Sequence, residues 1–147
     1  MNFMKVLLDT NIKKEIIEYL LTQEGIEEVK INEIDLFEEL EIKYNDKTTP
    51  IIIMKYIDLF QNNKFSTMIS FDKEIEKDHK TLKYVVDDMC CEYCYMGLVR
   101  ELFDNKNVYA IKSNFDMKYP LYNVEFEIKY DINYLEEDLI KFIEENK

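Results

Sequence analysis

An α+β fold is the class this sequence predicts: a mostly antiparallel sheet of five to six strands with three helices, one of them a long central helix near 79–103. Three observations predict it. Segments of alternating apolar and polar residues follow one another with few helical segments between them. Parallel strands need crossovers of a dozen or more residues, and the stretches 29–71 and 108–130 read mainly as successive strands. The 147 residues are 47% hydrophobic and 14% aromatic, enough for one core and well away from the composition of a disordered chain. With no linker, sequence repeat or low-complexity segment, the expected organisation is one acidic domain over 1–147.

The elements follow in order. Lys5-Val6-Leu7-Leu8 is strand-like. From Asn11 to Leu21, the residues Ile12, Ile16, Ile17, Leu20 and Leu21 recur at helical spacing, and Gly25 is placed to end that helix. Val29 and Ile31 then alternate with Lys30 and Asn32. Leu40, Ile42 and Tyr44 alternate with Glu41 and Lys43. Residues 46–50 suggest a turn, and the β-branched run Ile51-Ile52-Ile53-Met54 favours a strand, with a helix through Phe60 as the alternative reading. Phe65, Thr67, Ile69 and Phe71 share one strand face, so a meander of about four strands is expected.

The central helix is expected to start at Asp78 or Thr81, with Leu82, Val85, Val86, Met89, Tyr93 and Met96 as its main apolar stripe. Leu98, Val99 and Leu102 add apolar character on other sides. Val108 to Lys112 is a short strand. Val124, Phe126, Ile128 and Tyr130 alternate with Glu125, Glu127 and Lys129, the clearest strand pattern in the chain. Asn133 with Glu136 three residues later has the form of a capping box for a last helix carrying Leu135, Leu139, Phe142 and Ile143.

Charge is the most unusual property. Nineteen Lys and Arg against 31 Asp and Glu give a net charge of −12. A field of that sign repels phosphate backbones and speeds encounter with basic protein surfaces. No direct nucleic-acid binding is therefore expected. The chain holds only two glycines, Gly25 and Gly97, which excludes glycine-cradled phosphate loops. No apolar run approaches the roughly 18 residues of a membrane span. Three clustered cysteines do not make a disulfide framework, and the cytosol is the expected compartment.

Between Glu24 and Glu41 the acids are Glu24, Glu27, Glu28, Glu33, Asp35, Glu38, Glu39 and Glu41, against Lys30 alone. Leu36 and Phe37 interrupt them with apolar surface. Acids around an aromatic anchor suit docking on a basic protein groove. With one His and one Arg, His79 and Arg100, the common catalytic kits are scarce. The leading expectation is a non-enzymatic acidic interaction protein of phage or mobile-element character, with no cofactor. It would act as an inhibitor docked on a basic surface such as that of a nucleic-acid enzyme.

Asp9-Thr10-Asn11 follows an apolar strand and precedes a helix, and here the chain resembles the PIN-domain ribonucleases. The resemblance implies that Asp9, with Asn11, joins further carboxylates around Mg²⁺ or Mn²⁺ to activate water against a phosphodiester. Asp88 and Asp116 correspond loosely to its later acids, and Glu38 to a fourth. His79, Cys90, Cys91 and Cys94 are the soft-metal ligands. A mid-helix placement leaves Cys90 and Cys94 on one face with His79 as the only zinc arrangement, too few ligands for a tetrahedral site. Cys91-Glu92-Tyr93-Cys94 has a redox-type spacing, which works at a helix N-terminus; the expected long helix places it about ten residues in. A third expectation is a subunit of a larger assembly that uses the aromatic-rich strands as a hydrophobic contact.

Overall fold

The computed structural model describes residues 2–8, 14–34, 37–61, 68–73, 77–89, 91–114 and 123–147. Seven strands and four helices are defined among the described residues, and every strand pairing given below is antiparallel. The α+β class holds, while both element counts exceed the expected three helices and five to six strands. The chain divides into two compact units, Met1–Ile75 and Glu76–Lys147.

The first unit runs β1 (Asn2–Leu8), α1 (Glu15–Leu21), β2 (Ile26–Ile34), β3 (Phe37–Tyr44), α2 (Pro50–Phe60) and β4 (Met68–Asp72). Its strands lie in the order β2-β3-β1-β4. Each helix therefore joins two strands that run the same way with a third, antiparallel strand between them, the split βαβ arrangement. Met4, Val6 and Leu8 are fully buried beside Leu40 and Ile42, and Ile16, Leu20, Ile53 and Ile57 are fully buried on the helices. The bulge between Ile26 and Glu28 adds one residue to β2. Ile26 and Val29, three apart, are consequently both buried.

The expected four-strand meander is corrected at Ile51–Met54, which belong to α2. Thr49 caps that helix, accepting from the Ile52 N–H at 3.4 Å, and Pro50 opens it. These start signals outweigh the β preference of three isoleucines. Burial of Ile53, Met54 and Ile57 follows the helical period rather than alternation. The end of α1 is also corrected. Thr22 is its C-cap, and Gly25 instead turns the chain into β2 with φ +87°.

The second unit runs β5 (His79–Val86), α3 (Glu92–Asp104), β6 (Val108–Ser113), β7 (Val124–Asp131) and α4 (Glu136–Asn146). Its strand order β6-β7-β5 corresponds to β2-β3-β1 of the first unit, and its β-α-β-β-α succession matches the first five elements there. The repetition is one of topology, with no repeated sequence to announce it. Tyr84, Phe126 and Ser113 are in register across β5, β7 and β6. Beneath them Tyr95 of α3 stacks on Phe126, with ring centres 5.9 Å apart, and exchanges a 2.7 Å hydrogen bond with Ser113 Oγ.

The long central helix near 79–103 is corrected as well: its first half is strand β5. Leu82 and Val86 are the buried positions, and a spacing of four satisfies both a strand face and a helical stripe. Val85 and Tyr93, assigned to the apolar stripe, are 47% and 83% exposed. The helix that forms buries Leu98, Val99 and Leu102, expected to add apolar character, together with Tyr95 and Phe103. At α4 the capping box does not form. Leu135 is the N-cap, and the Asn133 N–H donates to Asp131 Oδ1 at 2.7 Å. Leu139 and Ile143 of the expected stripe are buried, while Leu135 is 59% exposed.

Candidate functional site

Cross-strand register decides which acids between Glu24 and Glu41 are compensated. On the exposed face of the first unit's sheet, Glu41 lies between Lys5 and Lys30, and Lys43 lies between Phe3 and Glu28. Lys30 Nζ reaches Glu28 Oε1 at 3.6 Å, and Lys43 Nζ stands 5.9 Å from the Phe3 ring centre. Glu39 is flanked by Leu7 and Asn32. Asn32 Nδ2 donates to Glu39 Oε1 at 3.4 Å and to Glu41 Oε2 at 3.2 Å. Glu27, at the bulge, accepts from Asn45 Nδ2 at 2.5 Å, and Glu24 is exposed in the turn before β2.

The far end of the β2–β3 hairpin differs. Glu33 faces Glu38 directly, Glu38's other neighbour is Leu8, and the next pair along is Ile34 with Phe37. Among the described residues, no Lys or Arg is in register with either glutamate. Like charges directly opposite cost roughly 0.2–1 kcal/mol. Ile34 is 39% exposed and Phe37 half-buried, an apolar pair one position further along that points to the opposite face of the sheet. Asp35 lies outside the described residues.

Of the carboxylates tied to the ribonuclease resemblance, Asp9 and Asp116 lie outside the described residues, as does Asn11. Asp88 is exposed in the second unit, with Lys147 Nζ 2.9 Å from its Oδ2. The same ammonium reaches Glu144 Oε2 at 2.5 Å, and the Tyr84 hydroxyl donates to Glu144 Oε1. At the end of β7, the Tyr109 hydroxyl donates to Asp131 Oδ2 at 2.5 Å.

The cysteine region departs from its expected placement. Cys91 is the N-cap of α3 and Cys94 lies in the first turn, so neither is mid-helix. Their sulfurs are 3.7 Å apart. His79 starts β5. Cys94 precedes Tyr95, whose ring stacks on Phe126 opposite Tyr84, five strand residues or roughly 16 Å along from His79, so His79 and Cys94 are not brought together. Cys90 itself lies outside the described residues. No group of three or more His, Cys, Asp and Glu is placed to hold a metal among the described residues. No helix among them is long and apolar enough to cross a membrane.

No protein-family model matches this chain. No curated protein matches it either. Among solved structures it is similar to the N-terminal soluble domains of Bacillus subtilis CopA, at 13% identity and a TM-score of 0.35, over 97% of this chain and 88% of that one. A likeness at that level assigns neither fold nor function.

The second unit's hydrogen-bonded carboxylates make a pH prediction. The Tyr109 hydroxyl, then the Asn133 N–H, hold the Asp131 carboxyl below its ordinary pKa. Lys147, then Tyr84, do the same for Glu144. A carboxyl depressed by folding stabilises above its unfolded pKa, about 3.9 for Asp and 4.3 for Glu, and that stabilisation is lost as pH falls through the folded value. The difference in urea midpoint between wild type and an Asp131→Asn/Glu144→Gln double variant should therefore be constant from pH 7 to 5 and shrink below about pH 4. Taking the difference cancels the general relief of acidic repulsion on acidification. A gap that widened toward pH 3 would reverse the assignment.

Proposed function

We propose that this protein is a non-enzymatic, acidic interaction protein that docks the β2–β3 hairpin end on a basic protein surface. One observation carries the proposal: Glu33 and Glu38 face each other with no Lys or Arg in register among the described residues. A repulsive pair is retained at a cost in stability, and a partner's Lys or Arg side chains would remove that cost on binding. The Ile34–Phe37 pair points to the opposite face of the same hairpin end, so a groove that clasps this end meets acids on one side and apolar area on the other. By contrast, the Glu28, Glu39 and Glu41 side of the cluster is internally matched and has less to gain. The net charge of −12 steers encounter with such a partner. A nucleic-acid enzyme is the form of partner that offers a basic groove to an acidic surface, and this protein would act as its inhibitor.

The test is capture of basic proteins from a host extract by immobilised wild type, by Glu33→Lys/Glu38→Lys, and by Glu136→Lys/Glu137→Lys. The last pair sits exposed on α4 and changes net charge by the same amount. The hairpin reversal should weaken a captured partner's binding at least ~100-fold, because each attraction becomes a repulsion. The α4 reversal should reduce it only a few-fold, through slower encounter. Equal losses in both variants would show that bulk charge alone governs binding and would sink the hairpin proposal.

A further inference from the structure

We propose that Cys91 and Cys94 form a thiol–disulfide exchange pair that reduces neutral or cationic disulfides. Both sulfurs project from the first turn of α3, 3.7 Å apart, with Cys91 at the N-cap in extended backbone (φ −166°, ψ 173°) and Cys94 three residues on. Closure to a disulfide brings them to about 2.04 Å, a movement within reach of side-chain rotation at this spacing. The helix start is a fixed platform. The Tyr95 N–H donates to the Cys91 carbonyl at 3.2 Å, and the Tyr95 ring is fully buried against Phe126. Structural thiols sit in cores, whereas here Cys91 is exposed and Cys94 half-buried while their neighbour Tyr95 fills the core. That is the division of labour an exchange pair needs: an accessible attacking sulfur and a shielded resolving one.

The reaction balances without a further reagent. The Cys91 thiolate attacks one sulfur of the substrate disulfide, forming a mixed disulfide and expelling the first thiolate. The Cys94 thiolate then attacks Cys91 Sγ, forming the Cys91–Cys94 bond and expelling the second. Two protein thiols are oxidised by two electrons, the substrate disulfide is reduced to two thiols, and the two protons pass to the released thiolates. Asp87, Asp88 and Glu92 flank the pair in sequence, so an anionic disulfide is repelled and a cationic one attracted.

The full chain, reduced and then exposed to cystamine, should lose two hydrogens in intact mass, and peptide mapping should place the link between Cys91 and Cys94. Cys94→Ser should instead trap a cysteamine adduct on Cys91, and Cys91→Ser should form neither link nor adduct at Cys94 on the same timescale. Cys90→Ser should behave as wild type. Exchange with cystamine should run at least ~10-fold faster than with oxidised glutathione at low ionic strength, and the gap should close in 0.5 M salt. Circular dichroism of each variant separates lost chemistry from lost fold. A link through Cys90, a persistent adduct in wild type, or a pair that resists exchange while retaining Zn²⁺ through gel filtration would each overturn the proposal.

Discussion

Phe126→Ala is expected to destabilise the protein by about 3–5 kcal/mol, the range for removing a fully enclosed aromatic ring. Phe126 occupies the middle strand of the second unit's sheet, between Tyr84 on β5 and Ser113 on β6, and is 2% exposed. Its ring stacks on Tyr95, so truncation removes both apolar burial and an aromatic contact worth about 0.5–1.5 kcal/mol beyond area. The neighbours cannot collapse into the gap easily. Tyr95 is fixed by its hydrogen bond to Ser113 as well as by the stack. Native domains hold only about 5–15 kcal/mol in total, so this one change consumes a large share. Urea unfolding followed by tyrosine fluorescence measures it, and Phe126→Leu, which keeps most of the volume, should lose under about 2 kcal/mol. A loss below ~1 kcal/mol for the alanine variant would mean that the stack does not organise this core.

The centre of that core was readable in advance. Val124, Phe126, Ile128 and Tyr130 alternate without interruption, and β7 is the strand they announce. Where the reading failed, two periods coincided or a start signal was outweighed. Leu82 and Val86 fit a strand and a helix equally, so a sequence that continues into real helix at Glu92 reads as one long helix. The break between them carries no proline or glycine. Its only local sign is Asp87-Asp88, unremarkable in so acidic a chain. For Ile51–Met54 the sign was present, since Thr49-Pro50 is a helix entry, but three β-branched residues drew the assignment to strand.

The candidate site was legible in composition and illegible in arrangement. Counting acids finds Glu24 to Glu41, but only register shows that Lys5 and Lys43, outside that window, compensate part of it. Glu33 and Glu38 are equidistant from positions 35 and 36, so the two-residue hairpin spacing held the information once both strands were accepted. The cysteines show the same dependence. Their spacing was plain, but its chemistry turns on whether the helix begins before or at Cys91, which the misread long helix decided wrongly.

Gly25→Ala is expected to cost about 2–4 kcal/mol, combining roughly 1–2 for an L-residue in the left-handed region with a steric contribution of similar size. At φ +87° an added Cβ would stand 2.8 Å from Thr48 Cγ2, 2.9 Å from Thr48 Cβ and 3.0 Å from the Thr48 backbone nitrogen. Only the first of these atoms lies at a side-chain end, so Thr48 cannot rotate away from the other two. Its segment is also pinned. The Asn45 N–H donates to the Gly25 carbonyl at 2.8 Å, and the Lys47 N–H donates to Asn45 Oδ1 at 2.9 Å. Asparagine tolerates positive φ far better than alanine, so Gly25→Asn separates the two causes. If crowding matters as argued, Asn loses nearly as much as Ala; if only backbone strain acts, Asn is close to neutral. Because Gly25 feeds directly into β2, movement here shifts the strand that carries Glu33 opposite Glu38. The alanine variant should therefore weaken partner capture as well as stability, even though it leaves every acidic residue in place.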